Sequence, residues 1–383
     1  MNMNRPDTYD VIFHLFGEQR LPNYMGVKQF SCKRHIFIIS DRYSASSMKS
    51  FIGDAQFEEM IVDPYNPKDI KTKIMGKVRS FGEGLTVGFN LTSGTKLMFA
   101  GALDACKECG GVPFYFNTVG GELIYLDTYE TQPIRPIESV EAFLIVNSNN
   151  LDVMESGRME KESKDLQNCT DMMWKYRSDV KFINEQLAKR ETLTDEITFQ
   201  SGCIKTGINK RLEPFLNFVI NGKPLTVLFS NVIAYKQYIS GGWLEEYVYN
   251  HLYTLYEAHR IKDIRIGLKL EVKNNGSADM VTMPVGKQLN GGIPYQEMDT
   301  VFTDGRRLYI VECKAQNITI GQITKLQNLV HSYGGAEGRG ILLSSIKCDN
   351  PLLLKKAEDF GNMIIVSGGE VPSFLASGNI LIK

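Results

Sequence analysis

The amino-acid sequence predicts an α/β protein in which two mixed helix-and-strand units are joined by a helical connector. Three observations support this fold class. Short β-rich runs alternate with helix-length segments near both ends of the chain, which is typical of α/β sheets. The stretch between them carries mixed charges at helical spacing. The 383 residues are also enough for two or three domains.

The first unit, residues 1–140, is predicted to be a Rossmann-like parallel sheet. Five β-rich runs in it are separated by segments long enough for helices. We expect a ligand site where the loops after these strands converge, because ligands bind at the carboxyl edge of such sheets. The five runs are YDVIFHLF, HIFIIS, EEMIVD, LTVGFN and VPFYFN.

The connector, residues 141–235, is predicted to be mainly helical, with one short strand-like run, KPLTVLFS, near its end. Between Arg158 and Arg190 it contains eight basic and six acidic residues, a balance that favours a solvated helix face over a nucleic-acid-binding arm. The third unit, residues 236–383, opens with a helix from Trp243 to Ala258 that has apolar residues at i, i+3 and i+4 spacing. Strands and helices then alternate, so a second α/β unit is expected.

Composition and missing motifs exclude several classes of protein. Hydrophobic residues are 43% and charged residues 23%, as in folded domains, and the net charge of -1 leaves only local patches for binding a polyanion. The seven cysteines lack the spacing of a disulfide framework, and the first residues do not resemble a signal peptide, so a cytoplasmic protein is predicted. The sequence has no run of 18 apolar residues, so no membrane span is expected. The nucleotide and hydrolase motifs GxxxxGK[ST], GxGxxG, GxSxG and HExxH are absent. The single CxxC pair, Cys106 and Cys109, predicts ordinary thiols rather than a zinc site.

The segment QEMDTVFTDGRRLYIVECK predicts a cluster of carboxylates. If Asp304 and Gly305 form a two-residue hairpin turn, Asp299 faces Ile310 across the two strands. Glu312 and Lys314 then lie on the same sheet face as Asp299, because side chains alternate with a period of two. Converging carboxylates repel one another unless a cation neutralises them, and hard oxygen ligands suit Mg²⁺ or Mn²⁺.

A second cluster of polar residues predicts an anion site in the first unit. The segment NLTSGTKLM ends the fourth β-rich run with hydroxyl residues and a glycine before a helix, which directs backbone N–H groups and the helix dipole at an anion. The first run ends in a comparable polar loop, FGEQRLPN. We expect the two loops to lie close together at the carboxyl edge of the sheet.

These motifs carry a family resemblance. Asp299 followed by Glu312-Cys313-Lys314 resembles the PD-(D/E)xK restriction-endonuclease-like nucleases, and the helix GGWLEEYVY is similar to the one that supplies their additional acidic ligand. The two loops of the first unit resemble CARF domains, the Rossmann-like sensors of cyclic oligoadenylates in type III CRISPR defence. The resemblance implies that the catalytic residues are Asp299, Glu312, Lys314 and Glu245, and Glu246 is the alternative to Glu245. Of these, Asp299, Glu312 and Glu245 would hold the metal. It also implies that the cyclic oligoadenylate is held by Glu18, Gln19, Asn23, Asn90, Thr92, Ser93, Gly94, Thr95 and Lys96.

The resulting hypothesis is an endonuclease that needs Mg²⁺ or Mn²⁺ and is activated by a cyclic oligoadenylate, hereafter the ring. Tetra-adenylate is favoured over hexa-adenylate, and the substrate is DNA, RNA or both. CARF proteins usually pair two such domains, so a homodimer is expected. Two alternatives stay open at this point: a ring-independent restriction or repair nuclease, and a non-catalytic ligand-responsive regulator that binds nucleic acid.

Overall fold

The computed structural model describes residues 6–147, 151–153, 158–190, 192–220, 223–273, 292–378 and 380–381. The chain divides into two compact units. The first contains Met1–Asp152 together with two short pieces from far along the chain, Gly305–Arg307 and His331–Glu337. The second contains Val153–Asp304, Leu308–Val330 and Gly338–Lys383. Most of the segment proposed from sequence as a connector therefore belongs to the second unit.

The first unit is built on a seven-stranded sheet. Its order is β3-β2-β1-β4-β5-β6-β7; β1 to β5 are mutually parallel, and β6 and β7 extend the sheet antiparallel. The predicted Rossmann-like α/β fold is confirmed, and the antiparallel extension adds two strands that the sequence analysis did not identify. The elements are β1 (Thr8–Leu15), α1 (Leu21–Gln29), β2 (Ser31–Ile39), β3 (Gln56–Ile61), α2 (Pro67–Ser80), β4 (Val87–Asn90), α3 (Lys96–Cys109), β5 (Val112–Asn117), β6 (Glu122–Tyr125), β7 (Thr131–Pro133) and α4 (Val140–Asn147).

Local signals fix the ends of the helices in this unit. Asn66 caps α2, since its side chain accepts a hydrogen bond from the Asp69 backbone N–H, and a proline opens the first turn. Thr95 caps α3 in the same way, and Gly110 ends that helix in the left-handed conformation. The apolar faces of α2 and α3 pack with β1, β2 and β4 into one core, which holds the strand ends in place.

The second unit begins with helices and a four-stranded antiparallel sheet. Helices and the one strand-like run that forms β12 were expected here, but a four-stranded sheet was not, because its strands are short and the two at its edges, β9 and β12, bury no residue fully. The sheet order is β12-β11-β10-β9. The elements are β8 (Leu151–Val153), α5 (Lys164–Lys175), α6 (Arg177–Leu187), β9 (Ile197–Ser201), β10 (Ile204–Ile208), β11 (Pro214–Ile220), β12 (Lys223–Leu228) and α7 (Val232–Gln237).

The rest of the second unit is an α/β layer around a mixed sheet. Its six strands run in the order β17-β16-β15-β14-β13-β8, antiparallel from β13 to β15 and parallel from β15 to β17. The apolar stripe of α8 is buried, as its spacing predicted, and α8 shares one core with α5 and α6 and with residues of β15. The elements are α8 (Trp243–Glu257), β13 (Asp263–Lys273), β14 (Gly292–Thr303), β15 (Leu308–Lys314), α9 (Ile320–Leu329), β16 (Arg339–Ser344), α10 (Pro351–Asp359), β17 (Met363–Ser367) and α11 (Val371–Ser377).

Candidate activator and catalytic sites

The hairpin between β14 and β15 differs from the predicted one. Thr300 pairs with Val311 and Thr303 with Leu308, so four residues, 304–307, connect the strands instead of two. The predicted pairing of Asp299 with Ile310 is therefore wrong by two positions. A shift of two preserves the sheet face, because side chains alternate with that same period. The next step in the observed register places Asp299 opposite Glu312.

The structure brings the predicted acidic residues and the lysine together. The backbone N–H of Cys313 donates a 2.7 Å hydrogen bond to Asp299 Oδ2. Lys314 Nζ lies 2.7 Å from Glu312 Oε1 and 3.5 Å from Asp299 Oδ2. Lys325 of α9, which the sequence analysis did not identify, lies 3.4 Å from the same Glu312 oxygen. Both acidic side chains are largely buried, so these cations compensate charges that water hardly reaches.

The structure also separates the two glutamates at the start of α8. Glu245 lies near enough to Asp299 for the two carboxylates to repel each other, whereas Glu246 forms an ion pair with Arg158. Neighbouring positions on a helix point about 100° apart, so one can face the strands while the other faces a different partner. Of the two candidates, Glu245 is the one beside the carboxylate cluster.

Burial and crowding shift the pKa values of these groups. Burial, followed by repulsion from Asp299, raises the pKa of Glu245 to about 8. Burial and then the Glu312 charge raise the pKa of Asp299 to about 6. Burial opposes the charge on Lys314, but Asp299 and Glu312 outweigh it and raise the pKa of that lysine. The cluster therefore has a deficit of positive charge that its own lysines do not remove.

Two further observations bear on metal binding. In the described part of the chain, no three His, Cys, Asp or Glu side chains are placed so that they could hold a metal ion. Glu312 Oε2, however, is buried without a hydrogen-bond partner among the described residues. Lys314 instead sits between Glu312 and Asp299. The donor types suit a hard divalent cation, but the side chains would have to rotate to converge on one.

In the first unit, the loops after four neighbouring strands surround a cavity of about 410 Å³. The loops after β1 and β4 were predicted to meet here, and they do so very closely: a Cβ atom on Gly17 would lie 3.3 Å from the Gly94 nitrogen. Gly94 has a φ of +83°, which favours glycine at this exposed position. Among the predicted residues, Glu18, Gln19, Thr92, Ser93, Gly94 and Thr95 line this cavity.

The other three predicted residues do not line the cavity. Asn23 and Asn90 are buried, and Lys96 is exposed in the first turn of α3. Asn90 donates to the Pro22 carbonyl at 2.9 Å and accepts from the Thr92 hydroxyl at 2.8 Å, so it ties the first loop to the fourth. Asn23 donates to Ser93 Oγ at 3.2 Å and has the same effect. Both amides thus position the loops.

The loop hydroxyls are also used internally. Ser93 donates to the Gln19 carbonyl and Thr95 to the Pro64 carbonyl, each at 2.7 Å. Thr92 accepts from the Phe116 backbone N–H at 2.8 Å. Because the three hydroxyl groups are bonded within the protein, they hold the loop in its shape as well as lining the cavity. The backbone at Gly94 remains exposed.

Sequence reasoning missed the residues that the second and third strands bring to the cavity. Arg42 and Tyr43 follow β2, and Pro64 and Tyr65 follow β3. Arg42 and Tyr65 are exposed, so a cation and an aromatic ring border the cavity. The strand-end rule that selected the loops after β1 and β4 applies equally to these two loops and would have identified them.

Beneath this cavity lies a buried pair of histidines. His14 Nε2 and His35 Nδ1 are 2.9 Å apart, and the amide of Asn90 lies 3.3 Å from His14 Nδ1. Burial lowers the pKa of His35 to about 4 and that of His14 well below its usual value. Both rings are therefore neutral near pH 7 and serve the hydrogen-bond network below the loops.

The folds and the two sites define a class of protein: a Rossmann-like ligand sensor joined to a nuclease-like α/β domain. Comparison with known families agrees on both halves. Residues 11–141 match the family model of the Card1 CARF domain, and residues 234–375 match that of the Card1-like endonuclease domain. Together these matches span more than two thirds of the chain. The chain therefore belongs to the CARF-domain nucleases of the Card1 type.

Solved structures share the fold over the whole chain. Can2 from Sulfobacillus thermosulfidooxidans, solved in complex with cyclic tetra-adenylate, is 19% identical with a TM-score of 0.72, covering 97% of this chain and 98% of its own. VC1899 from Vibrio cholerae is 14% identical with a TM-score of 0.68, covering 97% and 96%. A type III CRISPR defence DNA nuclease activated by cyclic oligoadenylate is 16% identical with a TM-score of 0.58, covering 98% of this chain and 52% of its own. No curated protein matches the sequence.

None of the helices in the described part of the chain has the length and apolarity that a membrane span requires.

Proposed function

We propose that this protein is an endonuclease that requires Mg²⁺ or Mn²⁺ and is switched on by a cyclic oligoadenylate. The observation that carries the proposal is the cluster of Asp299, Glu312, Glu245 and Lys314 in a chain that also has a sensor-type cavity in its first unit. The family matches for a CARF domain and an endonuclease domain support the same combination.

The metal ligands in this proposal are Asp299, Glu312 and Glu245. The raised pKa values of Asp299 and Glu245, and the unpaired Oε2 of Glu312, are what carboxylates lacking a cation would display. A bound Mg²⁺ or Mn²⁺ would supply the positive charge that activates water and stabilises a phosphodiester transition state.

Lys314 has a separate role in the proposal. Its ammonium group stays protonated near pH 7, because its pKa is raised, and it is held against the carboxylates. It would orient the attacking water or stabilise the negative charge that develops on the phosphate. Lys325 would hold Glu312 from the opposite element, α9.

The activator in this proposal is a ring bound at the carboxyl edge of the first sheet. The Gly94 backbone would face its phosphates, with Arg42 as an added cation and Tyr65 as a stacking surface. Lys96 would act through charge at the start of α3. Tetra-adenylate is favoured, since the structurally similar Can2 was solved with that ring.

A homodimer is part of the proposal. The 410 Å³ cavity of one chain is near the low end of volumes that accommodate a single small ligand, whereas a ring contains at least four nucleotides. Two cavities brought together by a two-fold axis would give the ring the same contacts from each copy. The predicted domains, residues 1–140, 141–235 and 236–383, would then be the sensor, the connector and the nuclease.

The decisive experiment is a cleavage assay with and without the ring. Supercoiled plasmid, single-stranded DNA and RNA are each incubated with Mg²⁺ or Mn²⁺, alone or with cyclic tetra- or hexa-adenylate. Cleavage that needs both metal and one ring supports the proposal and identifies activator and substrate. Cleavage without any ring favours a restriction or repair nuclease, and ring binding without cleavage favours a regulator.

Two variants test whether the sites are separate. Asp299→Ala and Lys314→Ala should each abolish cleavage while ring affinity stays at the wild-type value, because both residues lie in the second unit. Loss of ring binding in either variant would contradict the assignment of these residues to catalysis alone.

A further inference from the structure

A second cavity, of about 400 Å³, lies in the nuclease-like unit where the chain leaves β15. One wall is formed by Ala315, Gln316 and Asn317, which directly follow Lys314 at the end of β15. The Ser345 backbone N–H donates to the Lys314 carbonyl at 3.1 Å. This wall therefore continues the chain directly from Lys314, the residue that contacts Glu312 and Asp299. A cavity one to three residues from Lys314 along the chain is within the span of a neighbouring nucleotide of a bound strand.

The opposite wall is one face of α6. Lys181, Asn184, Glu185 and Ala188 line the cavity, and their spacing of i, i+3, i+4 and i+7 places them on the same side of the helix. Asn184 donates a 2.7 Å hydrogen bond to the carbonyl of Ile239, a few residues before α8 and Glu245. The helix is therefore attached to the segment that leads to the third carboxylate, which fixes the distance between the two walls.

The chemistry of the cavity suits a nucleotide. Its volume is in the range of a pocket for a small ligand, and its two exposed amide side chains, Gln316 and Asn317, can donate and accept hydrogen bonds. Lys181 is exposed and lines the cavity, so its charge is available to an anion. Glu185, one turn further along, works against an anion and limits the positive potential to the Lys181 end.

We propose that this cavity binds the nucleotide next to the cleaved bond, with Lys181 contacting its phosphate and the Gln316 and Asn317 amides contacting its sugar or base. The proposal rests on the endonuclease function proposed above and assigns part of its substrate site to the connector helix α6. The charge balance of the connector predicted only a solvated face, because the sequence does not reveal that α6 lies beside the end of β15.

The test compares three full-length variants with the wild type in the presence of the activating ring. Lys181→Ala should weaken binding of labelled DNA and RNA oligonucleotides about fivefold, with most of the loss in kcat/KM appearing in KM. Glu185→Gln should tighten binding, because it removes a negative charge from the same helix face. Lys68→Ala, an exposed lysine on α2 outside the cavity, is the matched control and should behave like the wild type.

Salt dependence separates a phosphate contact from a structural effect. Loss of one phosphate contact should reduce the slope of log K against log[salt] by about 0.7 to 0.9 for Lys181→Ala. Thermal unfolding and ring affinity should remain unchanged in both cavity variants. Comparing DNA with RNA distinguishes which substrate the cavity serves.

The outcomes also separate this inference from the proposed function. If the wild type neither binds nor cleaves nucleic acid with any ring, the proposed function fails and this inference fails with it. If the wild type cleaves but Lys181→Ala and Glu185→Gln match Lys68→Ala in KM and salt slope, the inference alone is overturned.

Discussion

Replacing Asn90 with alanine tests whether buried amides hold the ligand loops in place. The Asn90 side chain donates to the Pro22 carbonyl at 2.9 Å, lies 3.3 Å from His14 Nδ1, and accepts from the Thr92 backbone and hydroxyl at 3.3 and 2.8 Å. It is only 1% exposed, so water does not replace these contacts at once. The substitution removes all of them together.

The expected cost follows from the groups that lose a partner. The Pro22 carbonyl and His14 Nδ1 each lose the hydrogen bond that the Asn90 amide donates, and the Thr92 N–H loses its acceptor, Asn90 Oδ1. The Thr92 hydroxyl also loses that acceptor but still accepts from the Phe116 N–H. A buried polar group left unpaired costs about 1 to 3 kcal/mol. Allowing for local relaxation, the free energy of unfolding of the first unit should fall by about 4 kcal/mol.

The positions of the tryptophans make the assay specific to one unit. Both tryptophans, Trp174 and Trp243, lie in the second unit. Urea unfolding followed by tryptophan fluorescence should therefore be nearly unchanged, while far-ultraviolet circular dichroism should reveal an earlier transition. Ring affinity, measured by calorimetry, should fall at least tenfold, because the two loops would no longer be tied together.

The control is Asn66→Ala, which removes an exposed helix cap and should cost about 1 kcal/mol without affecting the ring. The reasoning would be refuted if Asn90→Ala unfolded at the same urea concentration as the wild type but no longer bound the ring. That result would mean that Asn90 contacts the ring directly, as the family resemblance implied.

Three further predictions concern the two sites and the histidine pair. Glu245→Gln should slow cleavage at least 100-fold, whereas Glu246→Gln should mainly lower thermal stability, because it removes the closer of the two ion pairs of Arg158 and leaves only Glu162 at 3.6 Å; equal loss of cleavage in both would contradict the assignment of Glu245. Arg42→Ala should raise the ring concentration for half-activation about tenfold, as expected for losing a charge-assisted hydrogen bond, and the exposed Arg79→Ala is its control. In the unfolded state His35 has its ordinary pKa of 6.5, whereas in the folded state its pKa is about 4. The unfolded state therefore binds the proton first as the pH falls, and the free energy of unfolding of the first unit should drop by about 3 kcal/mol between pH 6.5 and pH 4. Urea midpoints from circular dichroism that stay constant from pH 7 to 5 would contradict this prediction.

Local patterns in the sequence were sufficient for the fold class and for the grouping of Asp299, Glu312 and Lys314. Alternating β-rich runs predicted the parallel strands β1 to β5, because a buried strand needs continuous apolar residues whatever its partners are. The same patterns recognised only β12 of the four-stranded sheet and missed β9 to β11, because strands of five to seven residues are too short to show a clear period within the charged connector. The acidic residues and Lys314 were recognisable because charge beside a buried strand is costly unless it has a role.

Only the tertiary structure decided how these residues meet. The length of the β14–β15 connection set which residues face each other, and the direction of α8 selected Glu245 over Glu246. The packing of the first unit also buried the side chains of Asn23 and Asn90 and brought Arg42 and Tyr65 to the cavity. These outcomes depend on contacts between residues far apart in the chain. Local propensity and periodicity specify which elements form, but they do not specify which elements become neighbours.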